Sequence, residues 1–396
     1  MTYQLNIDRV QMYLSSLSLK NFRNYNNQTI DFHSTFNFIF GKNAQGKTNL
    51  LEAIYFLGHL KSFRTSAFEE LISKESTEST KSTKIGSAVI ESSFVREELD
   101  HQVRIVLEDG KKGVWLNQKR PSLYQDYYGL IPVILFEPWE VYLFRESPSM
   151  RRKFLDRAVF LDTSSFLKIA REFETVVAQK NRLLKDLRDS RRDDEAQLEV
   201  WNEKLASLGS EVVFCRLRWM EKVNRFLSDE YRLISKGTEE MKLSYVSTCS
   251  WKNFEKNGDK ADIYRELVQK IEEKKIEEQR RCESLVGPHR DDWLATLGNR
   301  PLGTMGSQGE NRCGIIAIKS IQVKIYREDK GFPPLFILDD VGSELDASRS
   351  EALFHTLLES AGQVFLTTTE TSKISNNINS QGLSFLVEEG KIRVLG

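Results

Sequence analysis

Residues 36–57, FNFIFGKNAQGKTNLLEAIYFL, constrain this chain more than any other stretch. Gly41 and Gly46 bracket four residues, and Lys47 and Thr48 follow, so G-x-x-x-x-G-K-[ST] is satisfied in full. Phe36, Phe38, Ile39 and Phe40 read as a short buried strand, and Leu50, Leu51, Ile54 and Leu57 recur at helical spacing. Strand, glycine loop and helix in that order form a phosphate cradle. Backbone N–H groups from Gly41, Lys42, Asn43, Ala44, Gln45 and Gly46 surround the phosphates, and Asn49 lies one residue past the motif. Lys47 is expected to reach the β- and γ-phosphates, and Thr48 to place its hydroxyl on Mg²⁺.

The rest of the chain is compatible with such a core. Its 396 residues allow one large domain plus a second module. Lys+Arg and Asp+Glu both count 57, so net charge excludes no partner, and a nucleic-acid site has to come from local clustering. Cys215, Cys249, Cys282 and Cys313 are scattered without a C-x-x-C pair, which argues against a disulfide framework or a zinc site and for reduced thiols in a cytoplasmic setting. No apolar run approaches membrane-spanning length, so no membrane partner is expected. Met12 is an alternative start, because the first strand pattern begins beside it.

The texture changes along the chain. Strand patterns run through YLSSLSLKNF, QTIDF, SAVIESSFV, HQVRIVLED, GVWLNQKR and IPVILF, with a low-complexity loop at residues 73–84. Beyond about residue 150, Leu198, Leu205, Val212, Trp219 and Phe226 recur every seven residues. Phe166, Phe173 and Leu187 form an upstream row interrupted by Lys180. Two heptad-patterned helices separated by the charged DSRRDDE predict an antiparallel helical hairpin, either a projecting arm or plain bundle core. From Leu285 the chain returns to α/β patterning, with a hairpin expected to turn at Gly298-Asn299. The expected organisation is therefore an α/β head in two halves, 1–150 and 284–396, split by a helical insertion at 151–283.

Two further stretches complete a nucleotide chemistry. PLFILDD is an apolar strand that delivers Asp339 for Mg²⁺ and Asp340 to orient or deprotonate the attacking water. GTMGSQGENR is a glycine-rich turn before a helix, where Ser307, Gly309 and backbone N–H groups suit an anion. The chain already has one phosphate cradle. A second has a purpose if two chains face each other and each presents this turn to the other's γ-phosphate.

At this point the chain resembles the RecF family, bacterial recombinational-repair ATPases of the ABC/SMC-like class. The resemblance rests on LSLKNFRNY (17–25), the phosphate loop, SPSMRRKFLDR (147–157), GPHRDDW (287–293), SQGENR (307–312), LFILDDVGSELD (335–346) and FLTTTE (365–370). It implies a P-loop ABC-type ATPase head carrying ATP and Mg²⁺, an ATP-dependent homodimer, and a clamp on double-stranded DNA near gaps and junctions. It also implies action with RecR and RecO in loading recombinase, and a weak, DNA-dependent, slow ATPase. On the same basis Ser343–Asp346 match a segment that touches the opposing subunit. Thr367–Thr369, Thr368 at their centre, stand where transport relatives carry a switch histidine. Absence of that histidine and the long heptad region argue against a transport subunit. Intact Lys47, Asp339 and Asp340 argue against a scaffold that merely holds nucleotide.

Several positions keep two readings. Glu310 stands where the family usually has Gln; its side chain is expected to point away, with Arg312 or solvent compensating its charge. No glutamine is assigned around LFEPWEV. Arg23 either approaches the nucleotide or braces the sheet edge. Arg151, Arg152 and Lys153, and Lys111 and Lys112, either grip DNA phosphates or form charged faces and internal pairs; the RR pair is alternatively a staple.

Overall fold

The computed structural model describes residues 12–73, 86–190, 195–249, 259–340, 362–369 and 382–395. The chain forms two compact units, one from Met1–Glu140 with Ile316–Gly396, the other Val141–Ile315.

The first unit opens with β1 (Met12–Phe22), β2 (Tyr25–Asp31), β3 (Phe36–Phe40) and α1 (Lys47–His59). It continues through β4 (Ala88–Arg96), β5 (Leu99–Glu108), β6 (Lys111–Leu116) and β7 (Val133–Phe136). Five antiparallel strands order as β2-β1-β4-β5-β6. Their alternation buries Leu17, Leu19, Ile90 and Ile105 on one face.

The second unit contains α2 (Pro148–Asp162), α3 (Phe166–Ser190), α4 (Glu195–Ser235), β8 (Met241–Val246), α5 (Lys260–Arg281), β9 (Asp292–Leu297), β10 (Arg300–Pro301) and the single turn α6 (Leu302–Met305). Helix α7 (Gln308–Lys330) carries the chain back into the first unit. There β11 (Leu335–Leu338), β12 (Val364–Thr368), β13 (Gly382–Glu388) and β14 (Lys391–Leu395) follow. They join β3 and β7 in the order β14-β13-β3-β12-β11-β7. All pairings in that sheet are parallel except β13–β14. Strands β3, β7, β11 and β12 are buried at every residue, as central parallel strands require. The buried Gln363 amide ties the two sheets by bonding both polar backbone groups of Leu14.

The fold corrects or narrows the sequence expectations at three places. Residues 284–315, grouped by sequence with the C-terminal half of the head, pack in the second unit. The reason is β9, which pairs with β8 from Met241↔Leu297 to Val246↔Asp292 and knits this stretch to the insertion. The Gly298-Asn299 turn joins β9 to β10 as the sequence suggests.

Second, the heptad rows pack as bundle core. Leu184 and Leu198 share one buried cluster, and Phe173 lies against Gly209, so α3 and α4 run antiparallel. Helix α5 joins them, with Lys260 on Glu211 and Lys275 on Glu195. Lys180, which interrupts the α3 row, is fully buried and bonds Glu278 on α5 at 2.6 Å. Third, the seam drifts. Leu198, Leu205, Val212 and Trp219 are buried, but Phe226 is 44% exposed and Val223, Leu227 and Ile234 replace it. A 3.6-residue turn rotates a seven-residue row about 20° per heptad, which carries the row out of the core over this length. Part of the charged tip, most of the 73–84 loop and Ser343–Asp346 fall outside the described residues.

Candidate functional site

The glycine loop takes its shape from backbone conformations that side chains resist. Gly46 has φ 121° and Gly41 φ 153°; between them Ala44 is left-handed at φ 64°. A Cβ on Gly46 would stand 2.7 Å from the Asn24 amide nitrogen and 3.0 Å from the Tyr25 hydroxyl. These neighbours belong to the NFRNY motif, which thereby acquires a physical role. Tyr25 donates its hydroxyl to the Gly46 carbonyl at 2.9 Å, and the Asn24 amide donates to the Gln45 carbonyl at 2.9 Å. From the other side the β13–β14 turn contributes the Gly390 N–H to that carbonyl, and the Glu389 N–H to the Gln45 side chain. Gln45 and Gly46 are thus clamped between two turns remote in sequence, while Lys42, Asn43 and Ala44 remain exposed.

Helix α1 begins at Lys47 with no side-chain cap and no acidic residue in its first turn. Its first N–H groups are left for an anion rather than satisfied internally. The Lys47 ammonium donates to the carbonyls of Gly41 (2.5 Å) and Lys42 (2.9 Å), so it spans the loop. Burial lowers its pKa, opposed by Asp340 and Asp339. Thr48 donates to Asp339 Oδ1 at 3.2 Å, and Asn49 joins Asn24 to Arg64.

Strand β11 brings Asp339 to its carboxyl end beside β12 and β7, where ligands of open parallel sheets gather. Thr367 donates to Asp339 Oδ1 at 2.8 Å and accepts the Asp340 N–H at 2.8 Å. Burial raises the Asp339 pKa, opposed by the Thr367 and Thr48 hydroxyls. Asp340 itself is left-handed at φ 47°. The hydroxyl set against the carboxylate pair is therefore Thr367, one residue before Thr368, which is buried. Strand alternation sends neighbours to opposite faces, and sequence alone does not say which threonine faces in. A cleft of about 860 Å³ opens beside the loop, bounded by Gly41, Lys42, Gln45, Thr369, Glu388 and Arg393. Glycine geometry, an uncapped helix start, a bridging lysine and a Thr48–Asp339 pair fit a nucleotide triphosphate with a divalent cation.

Arg23 braces rather than reaches. Its guanidinium meets the fully buried Glu52 of α1 through two bonds of 2.8 Å and the Glu70 carbonyl through a third. The contacts of Glu52, Asn24 and Tyr25 are not legible in the sequence because their partners are distant along the chain.

The glycine-rich turn is in the second unit, with Ser307 exposed. Ser307 and Glu310 form a reciprocal capping box. The Ser307 N–H donates to Glu310 Oε2 at 2.7 Å, and the Glu310 N–H donates to Ser307 Oγ at 3.2 Å. Gly309 lies in the first turn of α7. Arg300, not Arg312, meets the Glu310 carboxylate, at 3.1 Å.

Three of the five basic residues considered for DNA are spent inside the protein. Arg151 is buried on Asp292 at 2.5 Å and on the Phe144 and Glu146 carbonyls; Trp293 in turn donates to the Arg151 carbonyl. Arg152 donates to the Asp291 carbonyl. Lys112 donates to the Leu60 carbonyl and lies over the Phe68 and Tyr124 rings. Lys111 and Lys153 are exposed. Of the two readings for these adjacent arginines, the internal one holds: the half-buried Asp292 carboxylate and backbone carbonyls take them.

Comparison with known proteins shows the family. Residues 13–392 match the RecF/RecN/SMC N-terminal domain family. The chain is 36% identical over 382 residues to the DNA replication and repair protein RecF of Syntrophotalea carbinolica, covering 96% of this chain and 99% of the relative. It is 33% identical over 383 residues to that of Pediococcus pentosaceus, covering 96% and 98%. A solved structure of the recombination mediator protein RecF-ATPrS in the RecFOR pathway superposes with a TM-score of 0.86 at 26% identity, covering 98% of this chain and 99% of the other. An Smc head bound to the C-winged helix domain of ScpA shares the fold, with a TM-score of 0.54 at 15% identity, covering 97% of each chain. Phosphate loop, carboxylate-tipped strand, capped serine turn and full-length likeness converge, and the chain belongs to the RecF family of ABC/SMC-type ATPases.

Proposed function

We propose that this chain is an ATP-dependent DNA clamp of replication and recombinational repair. Two copies close on ATP and Mg²⁺, each placing its Ser307 turn on the γ-phosphate held by the other's loop. Lys47 neutralises the β- and γ-phosphates, Thr48 and Asp339 hold the cation, and Asp340 orients the attacking water. Closed on duplex DNA near a gap or junction, the dimer works with RecO and RecR in the cytoplasm, and slow DNA-dependent hydrolysis reopens it. Among the candidate DNA residues, the exposed Lys111 and Lys153 are the ones available to phosphates.

What carries this reading is a division of labour. Lys47, Thr48, Asp339 and Thr367 assemble in one unit, whereas Ser307 stands exposed on another, with Gly309 half-buried beside it. Likeness to RecF-ATP, at a TM-score of 0.86 and 25% identity, supports the nucleotide.

Oligomer size in ATP, ADP and no nucleotide tests it, read together with binding to gapped and intact duplex. A dimer forming only in ATP, with preference for gapped DNA and affinity falling steeply with salt, is the expected result. Asp340→Asn should trap the ATP dimer. A chain that stays monomeric in ATP at micromolar concentration would exclude the sandwich.

A further inference from the structure

The Ser307 turn carries a carboxylate, Glu310, where a neighbouring phosphate is to bind. The structure assigns Arg300 as the positioning residue that makes this carboxylate tolerable. Its neutralising contact lets the capping box present the Ser307 hydroxyl as a donor to an anionic phosphate. This inference rests on the proposal that Ser307 meets a nucleotide bound by a second copy.

The geometry divides the work among four side chains. Glu310 has two carboxylate oxygens with separate partners. Oε2 accepts the Ser307 N–H at 2.7 Å, and Oε1 faces Arg300 Nη2 at 3.1 Å. That same Arg300 nitrogen sits between both oxygens of Glu239, at 3.0 and 2.9 Å, which fixes the guanidinium from behind. Arg145 donates to the Gly306 carbonyl at 2.5 Å and holds the residue preceding Ser307. Ser307 Oγ accepts the Glu310 N–H with one of its two lone pairs, and its O–H remains to donate outward. Without Arg300, a bare carboxylate hydrogen-bonded to the Ser307 N–H would repel an incoming phosphate.

Arg300 also has little to do with holding the fold. Its side chain is 39% exposed and its partners Glu239 and Glu310 are 48% and 27% exposed, so solvent screens these pairs and they add little stability. The backbone of Arg300 pairs with Leu297 whatever its side chain. Arg300→Met is therefore expected to fold.

The test is a charge rescue, read as the protein concentration at half-maximal ATP-dependent dimerisation of the full chain. Arg300→Met should raise that concentration about tenfold, with ATP binding to the loop unchanged. Glu310→Gln, whose amide oxygen still accepts the Ser307 N–H, is measured alongside as the reference for the double variant. The double variant Arg300→Met/Glu310→Gln should return to within about threefold of the parent, because the charge that needed Arg300 is gone. A merely structural Arg300 predicts no rescue. Dimerisation of Arg300→Met at the parental concentration, or a double variant no better than the single, would overturn the inference while leaving the nucleotide sandwich intact. Failure of the parent itself to dimerise in ATP would overturn the sandwich and this inference with it.

Discussion

Two helix starts in this molecule face the same electrostatic problem and solve it in opposite ways. Helix α1 begins at Lys47 with no cap and no acidic residue, its entry shaped by glycine, by the buried bond from the Tyr25 hydroxyl and by the Gln45 side chain, which accepts the Glu389 N–H. Helix α7 brings its own anion: Ser307 and Glu310 satisfy each other, and surface charges from Arg300 and Glu239 hold the pair. A bare start is a standing site for a ligand's phosphates. A self-capped start keeps its shape alone, and what it offers a second molecule is a hydroxyl and a balanced charge. Rigid geometry belongs to the first unit's site, and tunable electrostatics to the second's.

The contrast breaks most visibly at Gly46. Gly46→Ala puts a Cβ 2.7 Å from Asn24 on a backbone that side chains avoid, and should weaken binding of a fluorescent ATP analogue on the order of 100-fold. Unchanged affinity would remove the loop from the site.

A smaller effect probes the charges beneath the second unit's sheet. Burial raises the Asp291 carboxyl to about 6, while Tyr245 and Ser247 donate to it; burial lowers His289 to about 4. The signs oppose. Folded Asp291 holds its proton more tightly than the unfolded chain does, so its contribution is lost as pH rises from about 4 to about 6. Folded His289 holds its proton less tightly, so its contribution grows between about 4 and the ordinary imidazole value of 6.5. In the parent these two contributions nearly cancel across that window. His289→Gln should expose the Asp291 slope, a loss of about 2 kcal/mol from pH 4 to pH 6 in urea melts. A flat variant would show that Asp291 does not titrate there.

The smallest effect separates the two helix starts directly. Ser307→Ala should cost about 1 kcal/mol of stability through the lost cap and leave ATP binding to the isolated monomer unchanged. A drop in monomer affinity would mean that the two sites are not independent in the way the comparison assumes.

Much of this architecture was legible along the chain, for definite reasons. The phosphate loop, its strand and its helix are local, so fixed spacing and periodicity reveal them. The parallel strands Leu335–Leu338, which leads into Asp339, and Val364–Thr368 are equally plain as apolar runs. Other features depend on partners far away in sequence. For Arg151 and Arg152 the sequence allowed both a phosphate grip and internal pairs, and Asp292 and the Asp291 carbonyl decide for the second. Lys180 looked like a break in a heptad, because its buried partner Glu278 lies on another helix. Phe226 kept the seven-residue beat, yet helix geometry turned it outward.

By itself the sequence determined where a phosphate can sit, which carboxylates can serve it and which segments are helix or strand, since each depends on residues a few positions apart. Only tertiary structure decided which charges are free, which threonine meets the carboxylates and where the second unit ends. A buried charge or hydroxyl takes the nearest complementary partner in space, and chain folding, not local spacing, sets that distance.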